Sequence, residues 1–259
     1  CEPIYYTIEY TINSWTSLEN QINHELALKQ WENLYNQLMS LGVSVSLLEP
    51  VEGIPDLCFT GDAGMVYNGK FLCSNFRHRE RQPEIEHYIK WMKANDYEIY
   101  HVPDHVYFEG LGDVVQFGRN YFVGYGARSS KGAISYVQKT FPELNPLGEL
   151  EIVNNDFFHN SHGIALLGES IGMFYPDAYS SESVNKIRNA LEHTIEIDWE
   201  DASKFVCNNI VVGNNTILLD DCSEALQQKL EQYGFSVIKC PMSEFKKTGA
   251  SVRCLVLTL

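Results

Sequence analysis

Hydrophobic and polar positions along this chain switch between two periods, and the switch recurs about every 45 to 50 residues. Each copy opens on an aromatic, passes a polar or ionisable residue and enters a short apolar hairpin. The copies read FTGDAGMVYNGKFLCS from Phe59, FEGLGDVVQFGRNYFVGYG from Phe108, FHNSHGIALLGESIGMFY from Phe158 and FVCNNIVVGNNTILLD from Phe205, and a shorter one, GASVRCLVLTL, closes the sequence from Gly249. Between hairpins the apolar positions take helical spacing. A first helix is predicted over 17–41, with Leu26, Leu28, Trp31, Leu34, Tyr35 and Leu38 giving the periodicity and Gly42 ending it; VSVSLLEP follows as a strand. Pro83 opens a second, with Ile85, Tyr88, Ile89 and Met92 on one face, before the strand YEIYHVP. Ser129 or Ser130 caps a third ahead of ELEIV, Ser181 or Ser183 a fourth ahead of TIEID, and Ser223 a fifth that ends at Gly234 ahead of FSVIKCP.

The unit is therefore hairpin, helix, strand. Its order is cyclic, because the last hairpin must pair with the first helix and strand. A repeat that starts in mid-unit predicts a closed ring: an α/β fold forming a five-fold pseudosymmetric propeller, one domain over 1–259, with the strand starts facing a central channel. The competing architecture is a doubly wound sheet. It would need a glycine-rich phosphate turn, and FEGLGD has two glycines but does not open directly into a helix.

On a ring, Asp62, Glu109, His159, Asn208 and Cys254 occupy equivalent places and converge. Cys254 sits at the mouth of the last strand; a cysteine there is ordinarily a packing residue, and only its place in the repeat singles it out. His159 could deprotonate a thiol or protonate a leaving amine. Asp62 and Glu109 lie in apolar surroundings beside Phe59 and Phe108, and a partly buried carboxylate needs a partner. A guanidinium, with its planar fork of donors, is the natural one. Asp113 follows Gly112 and either joins that set or braces the turn. Arg128 in GYGARSS could take a substrate carboxylate or be an exposed helix-edge residue, and Arg81 in RHRERQPE is a weaker candidate of the same kind. His159 and His162 are three apart in a strand-turn context with no evident third ligand, so no metal is expected.

Composition narrows the partners. The chain has 259 residues, 44% of them apolar, which suffices for a core. The net charge of -15 supplies no basic stripe, so nucleic acid is disfavoured, and a negative field would gather a cationic small molecule. No apolar run is long enough for a membrane span and no secretory signal is visible. Seven cysteines without a CxxC pair fit a reduced, cytoplasmic protein. Homo-oligomer formation is left open.

At these residues the sequence resembles the guanidino-group-modifying superfamily, which includes dimethylarginine dimethylaminohydrolase, arginine deiminase, arginine dihydrolase and the amidinotransferases. The likeness covers nearly the whole chain, through FTGDAG, FEGLGD, GYGARS, the FFH…YPDAY segment, CNNIVVG and SEFKKTGASVRCL. It implies the five-fold propeller, Cys254 as nucleophile, His159 as acid/base, Asp62 and Glu109 as guanidinium ligands, and Arg128 as a ligand of the amino-acid carboxylate, with no cofactor. Two cues conflict over substrate. Many members carry His-Leu-Asp where this chain has His159-Asn160-Ser161, which speaks against an ordinary arginine deiminase and brings it nearer the methylarginine hydrolases. The opening CEPIYYTIEYTINSW resembles the arginine dihydrolase branch and keeps Asn13, yet that branch usually has Asn where this chain has Asp62.

The implied reaction is attack of the Cys254 thiolate on the amidine carbon, loss of an amine protonated by His159, and hydrolysis of the adduct. The alternatives are amidino transfer to an amine, dihydrolysis to ornithine, and a binder without chemistry. An N-terminal nucleophile hydrolase using Cys1 is a further rival, but its sandwich fold has no five-fold repeat.

Overall fold

A computed structural model describes residues 1–259. Four of the repeats form the same three-stranded sheet. The first contains β1 (Gly64–Tyr67), β2 (Lys70–Cys73) and β3 (Glu98–His101). The second contains β4 (Val114–Phe117), β5 (Asn120–Tyr125) and β6 (Asn145–Glu151), the third β7 (Ile164–Leu166), β8 (Ile171–Phe174) and β9 (His193–Glu196), and the fourth β10 (Ile210–Val212), β11 (Thr216–Leu219) and β12 (Ser236–Lys239). In every sheet the hairpin is antiparallel and the third strand joins parallel. A parallel neighbour cannot be reached by a tight turn, so a helix makes each crossover. These are Glu84–Ala94, Ala133–Thr140, Ser181–Ala190 and Glu224–Gln232.

The helix starts refine the sequence reading. Pro83 and Ser223 stand where expected, the latter accepting from Leu226 N. Ser180 rather than Ser181 or Ser183 caps the fourth predicted helix, Ser181–Ala190. The third begins at Ala133, because Ser129 is spent on Asp113 instead of on a cap. The first helix is His24–Ser40, capped by Asn23 and not begun near Ser17. Its buried stripe is Ala27, Gln30, Trp31, Leu34 and Leu38.

The fifth unit departs from expectation. Neither VSVSLLEP (43–50) nor the final stretch 256–259 forms a ladder. The two line a shared cavity of about 390 Å³ with Trp31, Ile210 and Val212. Sheet hydrogen bonds require strands ~4.8 Å apart, and apolar side chains around open space do not meet that condition.

A second correction concerns the polar positions. They lie in single helical turns that precede the strands, not in the strands themselves. Asp62 is in Thr60–Ala63 and Cys254 in Val252–Leu255, while Glu109 and His159 immediately precede Gly110–Asp113 and Asn160–Gly163. The turn of Asp62 packs on those of Cys254 and Gly110, and the latter packs on that of Asn160. Gly110 makes this approach possible: its φ is +52°, and a Cβ there would stand 2.6 Å from Gly64 N.

Candidate active site

The packed turns bring the carboxylates, the imidazole and the thiol of the repeat to one buried region. A cavity is lined by Asp62, Arg81, Arg128, Phe158, His159 and Cys254, closed by Tyr10, Ile12 and Asn13 from the N-terminal loop and by Thr248–Ala250. Asp56 also lines it.

The charges are tightly arranged. Asp62 Oδ2 accepts from Arg81 Nη1 at 2.8 Å. Glu84 takes Arg81 through both oxygens, at 2.7 and 2.9 Å. Tyr10 donates to Asp56 Oδ2 at 2.8 Å. Glu109 Oε2 accepts from Arg128 Nη1 at 2.9 Å, and Arg77 N donates to Glu109 Oε1 at 3.1 Å. Arg128 also donates to Ile12 O at 3.2 Å and lies over the Phe158 ring, its guanidinium carbon 4.6 Å from the centroid. Five buried carboxylates (Asp56, Asp62, Glu84, Glu109 and Asp113) face two guanidiniums and one imidazole. With His159 protonated, acids still outnumber cations five to three, and burial raises the Asp56 carboxyl and pushes that of Glu84 up to about 7.

His159 is held from both sides. Nδ1 is 3.2 Å from Asp113 Oδ1, and Nε2 lies 3.8 Å from Asp62 Oδ2 and 3.7 Å from Glu109 Oε2. Burial works to lower its pKa, but Asp62 and Asp113 overcome it and hold the ring more basic than usual. Burial likewise opposes ionisation of Glu109, and Arg128, His159 and Arg81 override it to bring that carboxyl down to about 2. Cys254 moves the other way: burial and the Asp62 charge push its thiol up to about 12, with hydrogen bonds from the surroundings pulling against them.

Among the residues that line the cavity, Asp62 alone has a buried polar atom left over. Asp62 Oδ1 is buried and has no hydrogen-bond partner. A Cβ on Gly112 would stand 2.8 Å from it and 2.7 Å from His159 Nδ1, so glycine at 112 keeps both groups clear.

The predicted residues therefore sort into groups. Cys254, His159, Asp62, Arg81, Arg128 and Asn13 line the cavity, whereas Glu109 stands behind His159 and Arg128. Asn13 uses its amide on its own loop, accepting from Trp15 N and Thr16 N and donating to Thr248 O. Asp113, open to either a ligand or a bracing role in the sequence, takes the place of a brace. It does not line the cavity, and its oxygens take His159 Nδ1, Asn160 N and Ser129. Arg81 is an integral buried cation and not a peripheral one. His162 faces Phe158 and Phe205, and neither of its ring nitrogens has a partner. Cys1 lines the apolar cavity of the fifth unit, away from these groups. Asp56, Glu84 and Tyr10 escaped the sequence reading. PDLCF lies just ahead of the first repeat copy, and only the shared guanidinium of Arg81 ties Asp56 and Glu84 to Asp62.

A family profile described as N,N dimethylarginine dimethylhydrolase, eukaryotic, matches residues 7–259. The bifunctional arginine dihydrolase/ornithine cyclodeaminase AgrE of Nostoc sp. is 34% identical over 99% of this chain. The chain spans only 37% of that protein's length. The N(G),N(G)-dimethylarginine dimethylaminohydrolase of Mycobacterium tuberculosis is 29% identical over 99% of this chain and 83% of its own. Among solved structures, the N-terminal domain of ArgZ covalently bonded to a reaction intermediate superposes with a TM-score of 0.93 at 31% identity, over 99% of this chain and 95% of that one. ArgZ is an arginine dihydrolase from the ornithine-ammonia cycle in cyanobacteria.

Fold and site thus place this α/β chain in the guanidino-group-modifying superfamily, to which the matched dimethylaminohydrolase and arginine dihydrolase belong. Within that class the chain belongs to the N,N dimethylarginine dimethylhydrolase family.

Proposed function

We propose that this protein is a cysteine hydrolase that cleaves a C–N bond in the guanidino group of arginine or an N-methylated arginine. The observation that carries the reading is Asp62, which lines a cavity with Cys254 and His159 and whose Oδ1 is buried without a partner. An unpartnered acceptor in low dielectric is costly, and a guanidinium N–H satisfies it while the cation offsets the surplus of acids.

The chemistry follows from the charges. Burial and the Asp62 charge hold the sulfur as the thiol. A bound cation neutralises Asp62 and attracts the thiolate, so substrate itself promotes ionisation of its nucleophile, the thiol proton leaving to solvent as the cation enters. Cys254 Sγ forms a bond to the amidine carbon. The C–N bond breaks as His159, the more basic imidazole, gives its proton to the departing nitrogen. This leaves a thiouronium-type adduct on sulfur. His159, now neutral, takes a proton from water, the oxygen bonds to carbon, and C–S cleavage releases a ureido product and restores Cys254. Asp113 keeps the imidazole oriented, while Glu109 and Arg128 fix its far side. Arg81, Arg128 and Asp56 are placed to meet the carboxylate and ammonium of an amino acid.

The five-fold propeller belongs to this reading. In its support, the turn Val252–Leu255 packs against Thr60–Ala63, and we assign it, with the helix His24–Ser40, to a fifth unit. We place residues 1–259 in one catalytic domain. Seven unpaired thiols support a reducing, cytoplasmic setting, and no helix is long and apolar enough to cross a membrane.

The test is to incubate the protein with a panel of guanidino compounds, with and without an acceptor amine such as glycine, and to read products by mass. Ureido product from arginine or a methylarginine is expected, with none from Cys254→Ser. Full activity in Cys254→Ser would end the assignment, and a guanidino-glycine product would make the enzyme a transferase.

A further inference from the structure

Asn208 is fully buried, occupies the fourth place in the repeat and has no part in the reaction as written above. Its side chain bridges two of the turns that carry chemistry. Oδ1 accepts from the backbone N–H groups of Arg253 at 3.0 Å and Cys254 at 3.4 Å. Nδ2 lies 3.3 Å from Cys254 Sγ and 3.3 Å from Ser161 Oγ. The two backbone donors fix which end of the amide is oxygen, so the NH₂ must face sulfur and Ser161. Cys254 Sγ is also 3.6 Å from Oδ1.

We infer that Asn208 is a positioning residue that serves Cys254 in both of its protonation states. Oδ1 accepts from the thiol, and Nδ2 donates to the thiolate, both when it attacks and when C–S cleavage regenerates it. Ser161 holds the amide plane for this task by accepting its other N–H. No other protein-like group does the same at this size. A carboxylate would hold the thiol but repel the thiolate, and an apolar group would leave two backbone N–H groups unpaired beside the nucleophile. Ser161 gains a role in this way: the residue that departs from the acid common in relatives orients Asn208. The inference rests on Cys254 being the nucleophile.

Two alkylating agents separate that premise from the inference. Wild-type protein is treated with cationic chloroacetamidine and neutral iodoacetamide between pH 6 and 11, and labelling of Cys254 is followed by mass. If chloroacetamidine does not label wild-type Cys254, the proposed function fails. Given labelling, Asn208→Asp keeps the Oδ1 acceptor and the side-chain shape but loses the donor to sulfur. It is expected to slow Cys254 labelling at pH 8 by at least about tenfold, to move the pH profile to higher pH, and to lower kcat with little change in KM. Ser161→Ala leaves Asn208 in place and is expected to shift the profile the same way by a smaller amount. Should Asn208→Asp fail to fold by circular dichroism, Asn208→Ala removes both the donor and the acceptor facing sulfur, and its profile is expected at higher pH than that of Ser161→Ala. A profile superimposable on wild type in the folded Asn208 variant would overturn the inference, whatever happens to kcat.

Discussion

The units carrying Asp62 and Glu109 are built alike. Each acid lies at a helical turn ahead of a hairpin, and each meets an arginine 19 residues later, Arg81 or Arg128. Their outcomes differ. Glu109 is satisfied at both oxygens, by Arg128 and by the backbone of Arg77, and lies behind the imidazole. Asp62 gives one oxygen to Arg81, which it shares with Glu84, and leaves the other buried without a partner. The repeat assigns an acid to a place. The neighbours decide whether it becomes a strut or a ligand, because only a carboxylate with spare hydrogen-bonding capacity can take a new cation.

The largest effect expected from this contrast is on activity. Asp62→Asn should lower kcat/KM for the cationic substrate by about 10²- to 10³-fold and leave binding of a neutral analogue nearly unchanged; steady-state kinetics and calorimetry check this, and equal losses for both would break the distinction. Glu109→Gln should act first on stability, by about 3 kcal/mol at pH 7, because it strands the buried Arg128. The sign of its pH dependence is fixed. The Glu109 carboxyl is depressed from an ordinary 4.5 to about 2, so its contribution is complete above about 4.5 and is lost as pH falls towards 2. Urea unfolding of wild type and variant should converge across that window, and a gap independent of pH would refute the strut.

Gly112→Ala pushes a methyl between the two units, at His159 and at Asp62 Oδ1. A loss of about 1–3 kcal/mol in stability is expected, with a larger proportional fall in kcat than any distant surface variant. The smallest effect is Tyr10→Phe, which removes the hydroxyl on Asp56 and should raise KM about threefold at unchanged kcat. A change in kcat instead would draw Asp56 into the chemistry.

Much of this was legible from pattern. The hairpins and crossover helices follow from a period that changes at Gly, Pro and Ser positions, and Asp62, Glu109, His159 and Cys254 were found because they share a place in the repeat. The helical turns that hold them were not legible, since four residues give no periodicity to read. Nor was the lack of pairing at 43–50, whose alternation is that of a strand. Alternation states which face is apolar and says nothing about whether a partner strand is within reach.

The sequence by itself determined the unit, its order and the residue types offered to the centre, because local spacing fixes helix, hairpin and the direction of each side chain. Only the tertiary structure decided that Asp113 braces His159, that Arg81 belongs to a buried charge network, and that Asp62 retains a free oxygen. Those are matters of which groups lie within a few ångströms across units some fifty residues apart, and in a low-dielectric interior each such partner changes what its neighbour can bind or protonate.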